Sequence, residues 1–150
     1  MAQPLLLKTK NFNKAACERK CNMQRETIFS DKAPAAVGPY VHAVKAGDTV
    51  YASGQLGLIP ETGELAEGVE AQAEQSIKNI EAVLHAAGCN LQDVVKTTIF
   101  LADMRDFAAV NAVYEKYFSQ NPPARSCVQA AALPKGGLFE MEAIAVKCAK

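Results

Sequence analysis

The chain carries no net charge, its 16 Lys and Arg balanced by 16 Asp and Glu. Outside the first residues it has no basic block. That argues against a dedicated duplex-nucleic-acid binder, because such binding rests on clustered cations. No apolar run approaches the length of a membrane span. Histidine is scarce: only His42 and His85 are present, so neither a four-ligand zinc site nor an imidazole-driven triad is well supplied. No phosphate-cradling loop is present either, since "PKGG" and "GQLG" match neither the P-loop nor the dinucleotide fingerprint. No cofactor or metal is therefore expected. The five cysteines, at 17, 21, 89, 127 and 148, are odd in number and follow no framework spacing. They read as free thiols in a reducing compartment.

What is present suits one folded domain: 150 residues, 49% of them apolar. Residues 1–23 stand apart, with five Lys or Arg against the single acid Glu18, which leaves the rest net acidic by four. Their three leucines are too few for a secretory segment. They read as an N-terminal extension without fixed structure, ahead of an alternative start at Met23, and this gives a cytoplasmic protein. A mitochondrial presequence is the alternative. The domain proper spans 24–150.

Within it, "RETIF" reads as an edge strand, and "YVHAVKAGDTVYASGQL" as a hairpin turning at Ala46-Gly47-Asp48. Ala73, Ile77, Ile80, Leu84 and Ala87 step by four and three, the stripe of an amphipathic helix over 69–87 that Gly88 stops. "DVVKTTIFLA" is a β-branched strand. A second helix over 106–118 carries Phe107, Val110, Tyr114 and Tyr117 on its stripe and ends before Pro122-Pro123. Closing strands over 125–131 and 138–146 are joined through "LPKGG" as a hairpin. The order β-β-β-α-β-α-β-β gives an α+β fold, a mixed sheet with two helices on one face. The last strand alternates Phe139, Met141, Ala143 and Ala145 against Leu138, Glu140, Glu142, Ile144 and Val146. Both faces are partly apolar, yet no third helix exists to cover the second one. A further copy of the chain is the expected cover.

The residues with chemical potential sit at strand ends. Arg125 follows a stiff Pro-Pro segment and suits a planar carboxylate, to which a guanidinium offers two parallel donors. An ion pair with Glu140 or Glu142 across the closing hairpin explains it equally well. Glu140 and Glu142 share a partly apolar strand face, where an unpaired carboxylate keeps its proton and can act as acid or base. A salt bridge between subunits is the plain alternative. Asn111 lies beside the second helix stripe and needs hydrogen-bond partners. The Cys127 thiol has no cation of the histidine type to activate it, so burial is its simpler reading. His42 and His85 are read as structural and exposed, respectively.

Together "AVGPY", "YASGQLGL", "VVKTTIFLADMRDFAAVNAVYEKYF", "PPARSCVQAAALPKG" and "FEMEAIAV" resemble the RidA/YjgF family of enamine/imine deaminases over about residues 24–147. The resemblance implies a homotrimer of chorismate-mutase-like α+β subunits with active sites between subunits. It implies cofactor-free hydrolysis of small 2-imino and 2-enamino acids to 2-keto acids and ammonia. By position it makes Arg125 the carboxylate-binding arginine. Glu140 and the Cys127 main-chain carbonyl become the holders of the hydrolytic water. Tyr40, Ser53, Gly54 and Asn111 become pocket residues, and Glu142 matches a commonly acidic position to which no catalytic role is assigned. Val41-His42 replaces the family's usual Ser-Gln, which implies no more than an altered pocket rim. Other expectations stay open: a ribonuclease or translation inhibitor, which the residues support poorly, and a non-catalytic keto-acid-binding or chaperone-like trimer. Chorismate mutase itself has only fold analogy behind it.

Overall fold

A computed structural model describes residues 24–147. The extension expected over 1–23, with Cys17 and Cys21, lies outside the described residues, as does Cys148.

Six strands form one sheet: β1 (Arg25–Ile28), β2 (Ala43–Ala46), β3 (Thr49–Leu56), β4 (Val94–Leu101), β5 (Ala124–Gln129) and β6 (Phe139–Val146). Two helices, α1 (Val69–Ala86) and α2 (Phe107–Phe118), complete the predicted element order. The strand order in space is β1-β2-β3-β6-β4-β5, with β1 at one edge as expected and β5 at the other. Every neighbouring pair is antiparallel except β4 and β5, which run parallel.

This topology corrects the closing hairpin. β4–α2–β5 is a βαβ unit, and its crossover helix forces β5 alongside β4 in parallel. The "LPKGG" stretch is a 3-10 turn that carries the chain back past β4, so that β6 enters between β3 and β4. β5 and β6 never touch as partners. The ion pair across a closing hairpin is therefore gone: among the described residues the salt bridges are Lys78–Glu74 and Arg105–Asp103.

The helix face holds the core. Phe139, Met141, Ala143 and Ala145 of β6 are buried there, with Ile77, Ile80 and Leu84 of α1 and Ile99 and Leu101 of β4. The α1 stripe is as predicted. The α2 stripe is turned by about one residue: Val110, Val113, Tyr114 and Phe118 are buried, whereas Phe107 stays 37% exposed and Tyr117 half-buried. Both helices lie over the same face. On the opposite face Tyr51, Val128 and Val146 are exposed, and Phe100 and Ile144 are half-buried.

α1 also buries a polar row that the apolar stripe concealed. Ser76 Oγ donates to the Gln55 carbonyl at 2.7 Å, and Asn79 Nδ2 donates to the Leu56 and Leu58 carbonyls at 3.0 and 2.9 Å. The β3–β6 ladder shifts register between Ala52 and Gln55, so backbone groups at that irregularity need other partners. At Ser53 these are the His42 carbonyl, which accepts from its N–H, and Gln55 Nε2, which donates to its carbonyl; the helix bonds hold the end of β3 just beyond.

His42 is structural, as read from the sequence. It is 4% exposed; its Nδ1 accepts from the Ser30 N–H at 2.9 Å, and Nε2 lies 2.9 Å from the Pro34 carbonyl. It ties together the two ends of the segment leading into β2, which begins only at Ala43, three residues later than the alternation from Tyr40 suggested. His85 is exposed on α1.

Candidate active site

The candidate residues fall into two groups on opposite faces of the sheet. The first is at the β5 edge. In the parallel register Arg125 lies beside Thr97 and Cys127 beside Ile99, and both β4 residues are buried against the helices. Arg125 and Cys127 therefore face the helix layer, next to α2. The Arg125 guanidinium carbon sits 4.8 Å from the Tyr114 ring centre and 5.6 Å from that of Phe107. Asn111, Phe118, Pro122 and Pro123 enclose a cavity of about 440 Å³ with Tyr114 and Arg125. The Asn111 Oδ1 is buried without a hydrogen-bond donor. Burial pushes the Cys127 thiol up, although the Arg125 charge opposes this, and an un-ionised thiol is a poor nucleophile. Its strand is an edge strand, so one side of the Cys127 backbone has no neighbouring strand among the described residues.

The second group is on the open face. A cavity of about 510 Å³ is lined by Tyr40, Ser53, Gly54, Lys135, Glu140 and Glu142, among others. The antiparallel registers set Glu140 between Leu56 of β3 and Phe100 of β4. It is half-buried and has no salt bridge among the described residues. Burial first, and the Glu142 charge second, hold its carboxyl above the usual carboxylate range. Gly54 makes its room: a Cβ there would overlap Glu140 Oε1. Ser53 secures the wall, its Oγ donating to the Val41 carbonyl at 2.7 Å and its N–H to the His42 carbonyl at 2.9 Å. The rim is folded on itself by Tyr40, whose hydroxyl accepts from the Val37 N–H at 3.3 Å. Pro34, the residue bonded to His42, lines the same cavity. Val41 and His42 thus contact this wall through the Val41 carbonyl and the Pro34 carbonyl.

One chain accordingly brings Arg125, Cys127 and Asn111 together, and separately Tyr40, Ser53, Gly54 and Glu140, but not one group with the other. Sequence reasoning missed Tyr114 and Phe107 as companions of Arg125, having placed both in the core stripe. Their spacing of seven, two helical turns on one face, was the available signal. It also missed Lys135, the only described non-glycine residue with positive φ, at 58°.

A cation without an acid partner among the described residues, a half-buried carboxyl and two modest cavities sit on a small α+β protein with one mixed sheet and two helices. The chain belongs to the family described as Endoribonuclease L-PSP, whose model matches residues 30–147 and which is the RidA/YjgF family. It is 51% identical over 125 residues to the 2-iminobutanoate/2-iminopropanoate deaminase of Salmonella typhimurium, covering 81% of this chain and 98% of that one. The crystal structure of RidA from the Antarctic bacterium Psychrobacter sp. superposes with a TM-score of 0.80 at 56% identity, over 81% of this chain and 99% of that one. That of E. coli TdcF with bound serine gives 0.79 at 44%, over 82% and 99%.

Proposed function

We propose that this chain is a hydrolytic deaminase that converts 2-imino and 2-enamino acids, such as 2-iminopropanoate and 2-iminobutanoate, to 2-keto acids and ammonia. It works as a homotrimer in which each site combines the Arg125 group of one subunit with the Glu140 group of the next. The observation that carries this is the separation itself. An arginine with no salt bridge among the described residues and a half-buried carboxyl held above its usual range occupy opposite faces of one sheet, and the Glu140 face is otherwise uncovered and partly apolar. The names of the deaminase relatives support the same reading.

In this reaction Arg125 grips the substrate carboxylate through two in-plane N–H donors. Asn111 Oδ1, which lacks a donor, accepts an N–H of the imine. Glu140 and the Cys127 carbonyl hold a water against C2. Water oxygen bonds to C2 while the C=N electron pair moves to nitrogen, which takes up a proton. The carbinolamine then forms C=O as its C–N bond breaks, releasing ammonia. Glu140, whose carboxyl is held above the usual carboxylate range by burial and the Glu142 charge, gives its proton to nitrogen and takes one back from the water oxygen in each step. Imines already hydrolyse readily, so positioning and modest proton transfer suffice.

The ribonuclease reading requires an imidazole for metal-independent cleavage, and weighing against it are the occupied ring nitrogens of buried His42 and the remote, exposed His85. Among the described residues no helix is long and apolar enough to cross a membrane. The test generates 2-aminoacrylate in situ from serine with a dehydratase and follows pyruvate and ammonia. The full chain should accelerate both, and Arg125→Ala should not. Unchanged rates with the wild-type chain would overturn the proposal.

A further inference from the structure

Nothing in the reaction above explains why an arginine meant for a flexible ligand is surrounded by aromatic rings. Arg125 projects from an edge strand, the position in a sheet with the fewest neighbours, and a long side chain there has many rotamers to lose. Yet its guanidinium lies over two rings of α2, at 4.8 Å from the Tyr114 centre and 5.6 Å from the Phe107 centre. Both distances are within the range of cation–π attraction.

Tyr114 is itself fixed from three sides. It is 6% exposed, and its ring stacks on Phe118 at 4.5 Å between centres with 28° between planes. Its hydroxyl shares a 2.8 Å hydrogen bond with Thr97 Oγ1. Thr97, fully buried on β4, is the register partner of Arg125 across the parallel pair. The strand that carries the arginine, the strand beside it and the helix above are thus joined in a closed triangle. Burial pushes the Tyr114 phenol up, so it remains a neutral ring beside the cation.

A guanidinium is weakly hydrated on its faces and donates hydrogen bonds only in its plane. Rings that cover a face leave the donor edge free, and no acid among the described residues occupies that edge. We propose that Phe107 and Tyr114, the latter set by Thr97, are positioning residues. They fix the guanidinium plane of Arg125 so that its two-donor edge is presented ready-made to a planar carboxylate. The proposal deepens the reading of Arg125 as the substrate clamp and rests on it. The rings do not touch the reacting carbon. They act equally on ground state and transition state, through the carboxylate that both share.

The expected signature is therefore a loss of affinity without a matching loss of turnover. Phe107 is sufficiently exposed that Phe107→Leu leaves the fold intact, which a thermal melt verifies. In the full chain this variant should weaken calorimetric binding of 2-oxobutanoate, and raise KM for the in situ imino acid, by roughly three- to tenfold, with kcat within about twofold of wild type. Tyr114→Leu should lose at least as much affinity. Tyr114→Phe keeps the ring face but loses the Thr97 hydrogen bond, so it should fall between wild type and Tyr114→Leu, matching Thr97→Val, which frees the ring without removing it.

Unchanged 2-oxobutanoate affinity in both leucine variants overturns the proposal, and so does a Tyr114→Phe variant as weak as Tyr114→Leu. If the wild-type chain binds 2-oxobutanoate but releases no ammonia, and Phe107→Leu loosens that binding, the aromatic seat stands while the deaminase reading falls. A wild-type chain that binds no 2-oxobutanoate overturns both.

Discussion

The Arg125 edge and the Glu140 face are built by opposite means. Arg125 is placed by what surrounds it: two prolines upstream, two rings above and a buried threonine alongside. Glu140 is placed by what is left out, a missing side chain at Gly54 and a wall of loop held by Ser53 and His42. The contrast follows from the chemistry each group suits. Recognising a planar anion needs a cation whose orientation is settled beforehand, because rotamer entropy lost on binding subtracts from affinity. Keeping a proton on a carboxyl needs desolvation and a like charge, and both depend on space and apolar neighbours. Since one sheet separates the two, a working site on this reading needs a second copy of the chain.

The most forceful way to break that comparison is complementation. Arg125→Ala and Glu140→Gln should each lower kcat/KM by about 10²- to 10³-fold, as expected when one member of a desolvated charged contact is removed. Unfolded together in equal amounts and refolded, the two inactive chains should regain about a quarter of wild-type activity, if each site takes one group from each of two subunits at random. No recovery would show that a single chain supplies both groups. Arg125→Lys, which keeps the charge and loses the fork, should also fall sharply in activity.

Gly54→Ala tests the other half alone. Its Cβ would drive the Glu140 carboxyl from its position, and a displacement of that order should cost about 10²-fold in kcat. Binding of 2-oxobutanoate at the Arg125 edge should stay near wild type, as an isothermal titration can establish. A smaller effect is expected at the rim. His42→Ala deletes two buried hydrogen bonds, costing about 1–3 kcal/mol and lowering Tm by roughly 3–10 °C.

The smallest effect concerns pH. The folded chain holds the Glu140 proton more tightly than the unfolded chain does, since burial and Glu142 raise its carboxyl above the usual range. Its contribution to stability is therefore present below the ordinary carboxylate range and is lost as pH rises through the raised value. Glu140→Gln, which cannot ionise, should melt slightly higher than wild type at pH 8 and at the same temperature at pH 4. A variant less stable at pH 8 would mean that the carboxylate is paired there.

Much of this fold was legible because local periodicity writes it. The α1 stripe from Ala73 to Ala87, the alternation in β6 and the Pro-Pro stop after α2 are read within a few residues of each other. Partnership between distant strands is not written locally. The Pro-Lys-Gly-Gly turn has the composition of a hairpin, and only the pairing of β5 with β4 shows that it is not one. The candidate site divided along the same line. Arg125, Glu140, Gly54 and Asn111 were legible as residue types in a family pattern. That they fall on opposite faces was not, because the facing of Arg125 depends on its register with Thr97. Tyr114 was hidden for a simpler reason: an aromatic on a helix stripe looks like core, and here it is both core and support for a cation. Phe107 misled in the reverse sense, placed in the core when its edge is exposed beside the arginine.

β6 has a consequence for the order in which the molecule comes into being. It is the last strand in the sequence and sits third from one edge of the sheet, joining β3 to β4. Emerging from the ribosome, β1–β2–β3 and β4–α2–β5 can each form by local steps, but they have no seam until residues 139–146 arrive. Such late, long-range closure is the slow step of a fold dominated by non-local pairing, and it leaves two unpaired strand edges waiting. Glu140 is carried by that closing strand. The Glu140 carboxyl and the finished sheet therefore appear in the same event, and a chain stalled before it presents neither a complete core nor that acid.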